Sequence, residues 1–237
     1  MKRLLKIGIL GNSNKGKSFI LSKLSHISLP FGTSIKTEGL SIKYPDLEIY
    51  KNRKIALLDS AGFETPVIKM NKNEKGKKDK KINIDKEEEE GDYFAEKSRE
   101  KLITELFLQN YIIHNSDILI VVVGLLTYSE QKLLNKIKYE LKSAKLNKTL
   151  YVIHNLMTYT TIGQVENYIS DILLKSATFE LEKHIQIDIK IESKNGLRFY
   201  EKNSNPPVFH LIFANEYTEA GKFYNFIIFR KFIRKDY

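Results

Sequence analysis

The chain has 237 residues, 42% of them hydrophobic, with 39 Lys+Arg against 29 Asp+Glu, a formal net charge of +10 and no cysteine. This length suits one α/β domain with insertions, and the missing thiols exclude disulfides, metal–thiolate sites and thiol nucleophiles. Its longest apolar stretch, Ile118 to Leu126, is too short to span a bilayer, and Met1–Leu10 lacks a signal-peptide layout, so a cytoplasmic location is expected.

Leu4–Leu10 is an apolar run of strand length, and Lys17–Leu24 has the periodicity of a helix start. Between them Gly11-Asn12-Ser13-Asn14-Lys15-Gly16-Lys17-Ser18 matches G-x-x-x-x-G-K-[ST] in full. Strand, glycine loop and helix are the context in which this pattern forms a phosphate cradle. Next come two strands around Leu40–Ile49 and Lys54–Asp59, separated by so few residues that an antiparallel edge pair is predicted. Residues 69–92, lysine-rich and then carrying Glu87–Glu90, are expected to form a disordered insertion.

Order is predicted to resume with a helix over Tyr93–His114, a strand over Asp117–Leu125 and a helix over Ser129–Lys145. A strand over Leu150–Ile153 and a helix over Gln164–Ala177 follow. Ile185–Ile191 alternates with period two and the Asn195-Gly196 turn returns it, so an inserted β-hairpin is expected over 185–202. Val208–Phe213 is the last strand and Thr218–Arg234 the closing helix. The alternation predicts an α/β fold in a single domain, residues 1–237. It has a doubly wound, mostly parallel sheet of about six strands, helices on both faces and the extra hairpin.

The loop implies a triphosphate ligand. Lys17 would reach the outer phosphates, Ser18 would place its hydroxyl on Mg²⁺, and backbone N–H groups from Asn14 to Phe19 would wrap the phosphates. Thr37 lies 19 residues after Ser18, and Asp59-Ser60-Ala61-Gly62 opens 41 residues after it, at the end of a strand. Order and spacing together resemble the P-loop GTPases. Thr37-Glu38-Gly39 is similar to the first switch of dynamin-like and guanylate-binding-like G domains, without their helical arm. The resemblance implies GTP or GDP as ligand and Thr37 as a magnesium ligand whose carbonyl orients the attacking water. It also implies Asp59 on magnesium through a water and the Gly62 N–H on the γ-phosphate. Lys17, Thr37 and Gly62 are then the catalytic set of a nucleotide-dependent switch or assembly trigger.

Two features depart from that family. Its members carry Asn-Lys-x-Asp after the fifth core strand to read guanine; here the chain reads His154-Asn155-Leu156-Met157-Thr158, without a carboxylate. His154 and Asn155, with Ala214 and Asn215 at the end of the last strand, are the candidate base contacts. Adenine therefore stays open beside guanine, and a P-loop ATPase beside a GTPase. Phe63 stands where small GTPases place a water-positioning glutamine, with Glu64 next to it. Hydrolysis is thus expected to be slow, or absent in a purely nucleotide-dependent interaction module. Phe63 together with Asn14 resembles the hydrophobic-substituted GTPases, which implies a K⁺ ion bound through Asn14 and face-to-face pairing of two G domains. The lysines are scattered, so no nucleic acid is expected, and the partner is an unidentified protein effector. Arg230–Lys235 reads as a helix C-terminus with compensating cations rather than a membrane contact.

Overall fold

A computed structural model describes residues 4–25, 39–44, 54–67, 86–185 and 197–225. In chain order its elements are β1 (Leu5–Leu10), α1 (Lys17–Ser25), β2 (Leu40–Lys43), β3 (Ile55–Ser60), α2 (Lys86–Asn115), β4 (Ile118–Val123) and α3 (Tyr128–Ser143). There follow β5 (Thr149–Leu156), α4 (Ile162–Tyr168) running into a π-helical turn (Ile169–Leu173), β6 (Leu181–Ile185), β7 (Leu197–Glu201), β8 (Val208–Ala214) and α5 (Glu219–Tyr224). All eight strands form one sheet in the order β2-β3-β1-β4-β5-β8-β7-β6.

Five of them, β3-β1-β4-β5-β8, pair in parallel. Strands buried on both faces need apolar residues at every position, which is why β4 reads Ile-Leu-Ile-Val-Val-Val. Leu119, Val121 and Val123 join the core that contains Ile112 and Ile113 of α2 and Leu134 and Ile137 of α3. On the opposite face Ile118, Ile120 and Val122 join Ile20 and Leu21 of α1. Parallel pairing brings the carboxyl ends of these five strands to one edge. The chain leaves β1 for β3 on one side and later for β4 on the other, so β1 is the switch point where α/β sheets bind ligands.

The predicted class holds, with three corrections. The described residues hold eight strands in one sheet rather than about six, because the hairpin is not an appendage: β7 pairs antiparallel with β8 and extends the main sheet. Its first strand begins at Leu181, ahead of 185, paired from Leu181↔Glu201 to Ile185↔Leu197; residues 186–196, with the Asn-Gly turn, lie outside the described residues. Of the 69–92 insertion, 69–85 is likewise outside, whereas 86–92 opens α2. Glutamate is a good helix former and its charge suits a helix N-terminus, so a run that resists core burial is well suited to extending a helix. The third correction is the length of β5, which continues to Leu156 instead of stopping at Ile153.

That longer strand carries His154 into the core, where it is fully buried together with His210 of β8. The Leu126 N–H donates to Tyr168 Oη (3.3 Å), and the Tyr168 hydroxyl donates to His154 Nδ1 (2.8 Å). His154 Nε2–H donates to His210 Nδ1 (2.9 Å), and His210 Nε2–H donates to Glu201 Oε1 (3.0 Å). Lys138 of α3 closes the chain on Glu201 Oε2 at 2.6 Å. One direction of donation satisfies every bond with both imidazoles neutral. Burial, and then the neighbouring His210, hold His154 well below the usual histidine range. Burial also lowers His210, against the pull of Glu201. Burial works to raise Glu201, but hydrogen bonds from His210 and Lys138 outweigh it and leave this carboxyl low.

Unfolding frees both imidazoles to titrate near pH 6.5, above their folded values, so the unfolded chain binds more protons as pH falls below that point. Stability then drops on acidification, by up to about 1.4 kcal/mol per pH unit for each histidine. Urea unfolding at pH 7.5 and 5.5 is expected to show this loss. Nitrogen NMR of the imidazoles should show His154 and His210 still neutral in the native protein at pH 6.

Candidate nucleotide site

The loop between β1 and α1 sits at the carboxyl edge of the sheet and is pinned from two sides at Lys15. The Asn155 amide, at the end of β5, donates to the Lys15 carbonyl at 2.8 Å. At its other end the Lys15 ammonium pairs with Glu130 of α3 at 2.5 Å, and Glu130 is only 1% exposed. Glu130 also accepts the Thr127 N–H (3.2 Å), its half of the capping box of α3, and the Thr127 hydroxyl. Gly16 has φ +82°, and a Cβ there would lie 2.4 Å from Asn155 Nδ2. Glycine is needed at this position both for its backbone angle and for the close approach of Asn155.

Lys17, the first residue of α1, is buried, and its ammonium donates to the Asn12 carbonyl at 3.1 Å. Burial drives its pKa down to about 8, while the nearby Asp59 works in the opposite direction. The next side chain, Ser18, donates through Oγ to Asp59 Oδ2 at 2.7 Å. Asp59 reaches this point because β3 pairs with β1 in the register Ile9↔Asp59. A hydroxyl and a carboxylate converging beside a lysine form an all-oxygen donor set, which suits Mg²⁺. Gly62 follows on the loop after β3, and a Cβ there would lie 2.9 Å from Lys17 Nζ. Lys17, Ser18, Asp59 and Gly62 are therefore gathered at one point, as their spacing predicts.

The other candidates divide. Asn14 is exposed on the loop with φ +60°, a conformation asparagine tolerates. Thr37 lies outside the described residues. The Lys15 side chain turns to Glu130, so this residue offers a phosphate only its backbone. Phe19 sets its ring edge-on to Phe213 at 5.9 Å, with Lys23 over it, and so belongs to the packing of α1 on the sheet.

The base contacts need correction. His154 is sealed in the core by the added length of β5 and cannot meet a ligand. Asn155 commits its Nδ2 to the Lys15 carbonyl of the loop, and its Oδ1 is buried without a partner among the described residues. Ala214 has both backbone groups taken by Asn225, N–H to Oδ1 at 2.8 Å and carbonyl from Nδ2 at 2.9 Å. The Asn215 N–H points to the Tyr159 carbonyl at 3.4 Å, and its own carbonyl accepts from Thr218 at the start of α5. Ser129 and Glu130 of α3, to which the sequence pattern gives no role at the site, contact the loop at Asn12 and Lys15, and Ser129 also reaches Glu64. Thr127-x-x-Glu130 is legible as a helix cap, but its second duty toward Lys15 needs two segments to meet in space.

Residues 6–156 match the family described as 50S ribosome-binding GTPase. A heat shock protein of Dictyostelium discoideum is 28% identical over 97% of this chain, which spans 31% of that protein's length. Among solved structures, a variant of Era from Aquifex aeolicus bound to GDP and AlF₄⁻ aligns with a TM-score of 0.50 at 14% identity. That alignment covers 100% of this chain and 59% of the Era chain, and it shows a shared fold.

A lysine near pKa 8 regains its proton when an anionic phosphate lies against it. Above about pH 8 the free site has lost a proton that the bound site keeps, so affinity for a polyphosphate falls as pH rises. Calorimetry at pH 8 in buffers of different ionisation enthalpy is expected to show net proton uptake on binding, and the Lys17 contribution should fade at about pH 6.5, where the free lysine already carries its proton.

Proposed function

As the chain belongs to the 50S ribosome-binding GTPase family, we propose that it binds GTP with magnesium and hydrolyses it slowly as a nucleotide-dependent switch or assembly trigger. The observation that carries this reading is the convergence of Lys17 and Gly62 with the Ser18–Asp59 pair at the mouth of the phosphate loop. Backbone N–H groups of residues 14–19 and the N-terminal end of α1 receive the phosphates. Lys17 supplies charge at the outer phosphates. Ser18 and Asp59, with Thr37, are the residues that would hold Mg²⁺, which when bound neutralises charge between the phosphates that separate.

The residues after Gly62 explain the slow rate. Phe63 is apolar and buried, and the Glu64 carboxylate is turned toward Asn12 and Ser129, so neither side chain positions water. Hydrolysis then rests on alignment and charge alone. We assign Asn14 to a potassium ion whose charge supports phosphoryl transfer, completed when two G domains pair. A protein effector that senses the loops around the phosphates is the implied partner, with the cytoplasm as location.

A second reading, an ATP-specific site, draws on the chain's lack of a carboxylate in Asn155-Leu156-Met157-Thr158 and on the commitment of Asn155 to the loop. Competition binding decides between them: GTP and GDP are expected to displace a fluorescent guanine nucleotide at least about tenfold better than ATP, and parity would favour the ATP reading. Lys17→Ala should remove binding of every nucleotide. Turnover is expected on the order of 10⁻⁴ to 10⁻² s⁻¹ in K⁺ buffer and lower in Na⁺. Equal rates would reject the role of Asn14, and binding without multiple turnover would leave a non-catalytic module.

A further inference from the structure

The segment after Gly62 is zipped onto the phosphate loop. The Ser13 N–H donates to the Phe63 carbonyl at 2.7 Å, and the Phe63 N–H donates to the Gly11 carbonyl at 3.4 Å. Asn12 and Phe63 thus face each other as one step of parallel pairing. A Cβ on Gly62 would lie 2.5 Å from Ser13 Cα, so the two main chains are in contact beside the Lys17 ammonium. Below them the Phe63 side chain, 5% exposed, is packed into the core.

One carboxylate secures this arrangement from above. Glu64 Oε2 accepts from Asn12 Nδ2 at 3.1 Å and from Ser129 Oγ at 2.5 Å. Asn12 Nδ2, which has a second hydrogen to donate, also reaches Ser129 Oγ at 3.2 Å. Ser129 stands in the first turn of α3, a helix anchored by its buried face and its capping box. Glu64 has φ +56°, a backbone angle that a non-glycine residue keeps only when its surroundings enforce it. Phosphate loop, the segment after Gly62 and helix α3 are joined at a single side chain.

We propose that Asn12, Glu64 and Ser129 form a clasp that sets the discrimination between nucleoside diphosphate and triphosphate. While it is shut, Gly62 and Phe63 lie against Ser13 and Lys17, on the side where the outermost phosphate must meet the lysine. A diphosphate leaves the Phe63–Ser13 pairing intact. A triphosphate has to part the two main chains and break the hydrogen bonds to Glu64. The clasp is therefore a specificity determinant that taxes the triphosphate state alone, and it ties release of Glu64 from α3 to arrival of the γ-phosphate. This inference rests on the guanine-nucleotide reading above.

The test measures affinities for GDP and for a non-hydrolysable GTP analogue, with Mg²⁺ and K⁺ present, in the wild-type chain and in Glu64→Ala, Ser129→Ala and Glu64→Gln. Glu64→Ala is expected to raise analogue affinity about tenfold while changing GDP affinity less than about twofold, the scale of losing hydrogen bonds to a charged acceptor. Ser129→Ala should move the ratio the same way by a smaller factor. Glu64→Gln, which keeps an acceptor oxygen, should restore most of it, and amide exchange at Ser13 should be faster in Glu64→Ala than in the wild type without nucleotide. An unchanged ratio with nucleotide binding intact overturns the clasp alone, as does an equal change for both ligands. Failure of the wild-type chain to bind either nucleotide overturns the functional reading and the clasp with it.

Discussion

Lys15 is held at both ends, and the site depends on that. A phosphate cradle needs several backbone N–H groups turned inward at once, a conformation the chain adopts only if the outward-facing carbonyls are satisfied elsewhere. Asn155 meets the carbonyl of Lys15 from β5, and Glu130 meets its ammonium from α3. Both partners stand on elements that the core fixes in place. Gly16 can pass beneath Asn155 because it has no side chain. The loop is thus shaped by two elements distant in sequence, and Lys17 and Ser18 inherit their positions from it.

β5 does two jobs with consecutive residues. Asn155 faces the loop and His154 faces the core, since adjacent side chains of a strand point to opposite sides. The buried polar chain from Tyr168 through His154 and His210 to Glu201 and Lys138 spans α4, β5, β8, β7 and α3. Buried polar groups are tolerated only with their partners present, so the network holds the added hairpin against the parallel strands. The strand that presents Asn155 to the loop is therefore locked on its other face by histidines that carry no charge. α3 is similarly shared: its buried leucines and isoleucine serve the core, while its first turn supplies Glu130 to the loop and Ser129 to Glu64.

Legibility in the sequence follows the range of the interactions. The phosphate loop, the Asp59-x-x-Gly62 segment and the edge strand before it were readable because each is a short pattern tied to one strand end. Phe63 was readable as a departure, since an apolar residue cannot do the work of a glutamine; that it would be buried and paired with Ser13 was not. The base contacts failed for a different reason. Placing them required knowing where β5 ends, and three more residues of strand moved His154 from the rim to the interior. Ala214 failed because its partner, Asn225, arrives from α5, and no local spacing announces that meeting.

By itself the sequence determined the α/β class, the phosphate loop and the gathering of Lys17, Ser18, Asp59 and Gly62. These rest on hydrophobic period, glycine placement and strand-end position, all of which act within a few residues. Only the tertiary structure decided how the loop is braced, which side chains are withdrawn from the ligand, and that Glu64 joins switch to helix. Those outcomes depend on the register of a parallel sheet, where residues about a hundred positions apart become neighbours and a single step of pairing chooses between core and site.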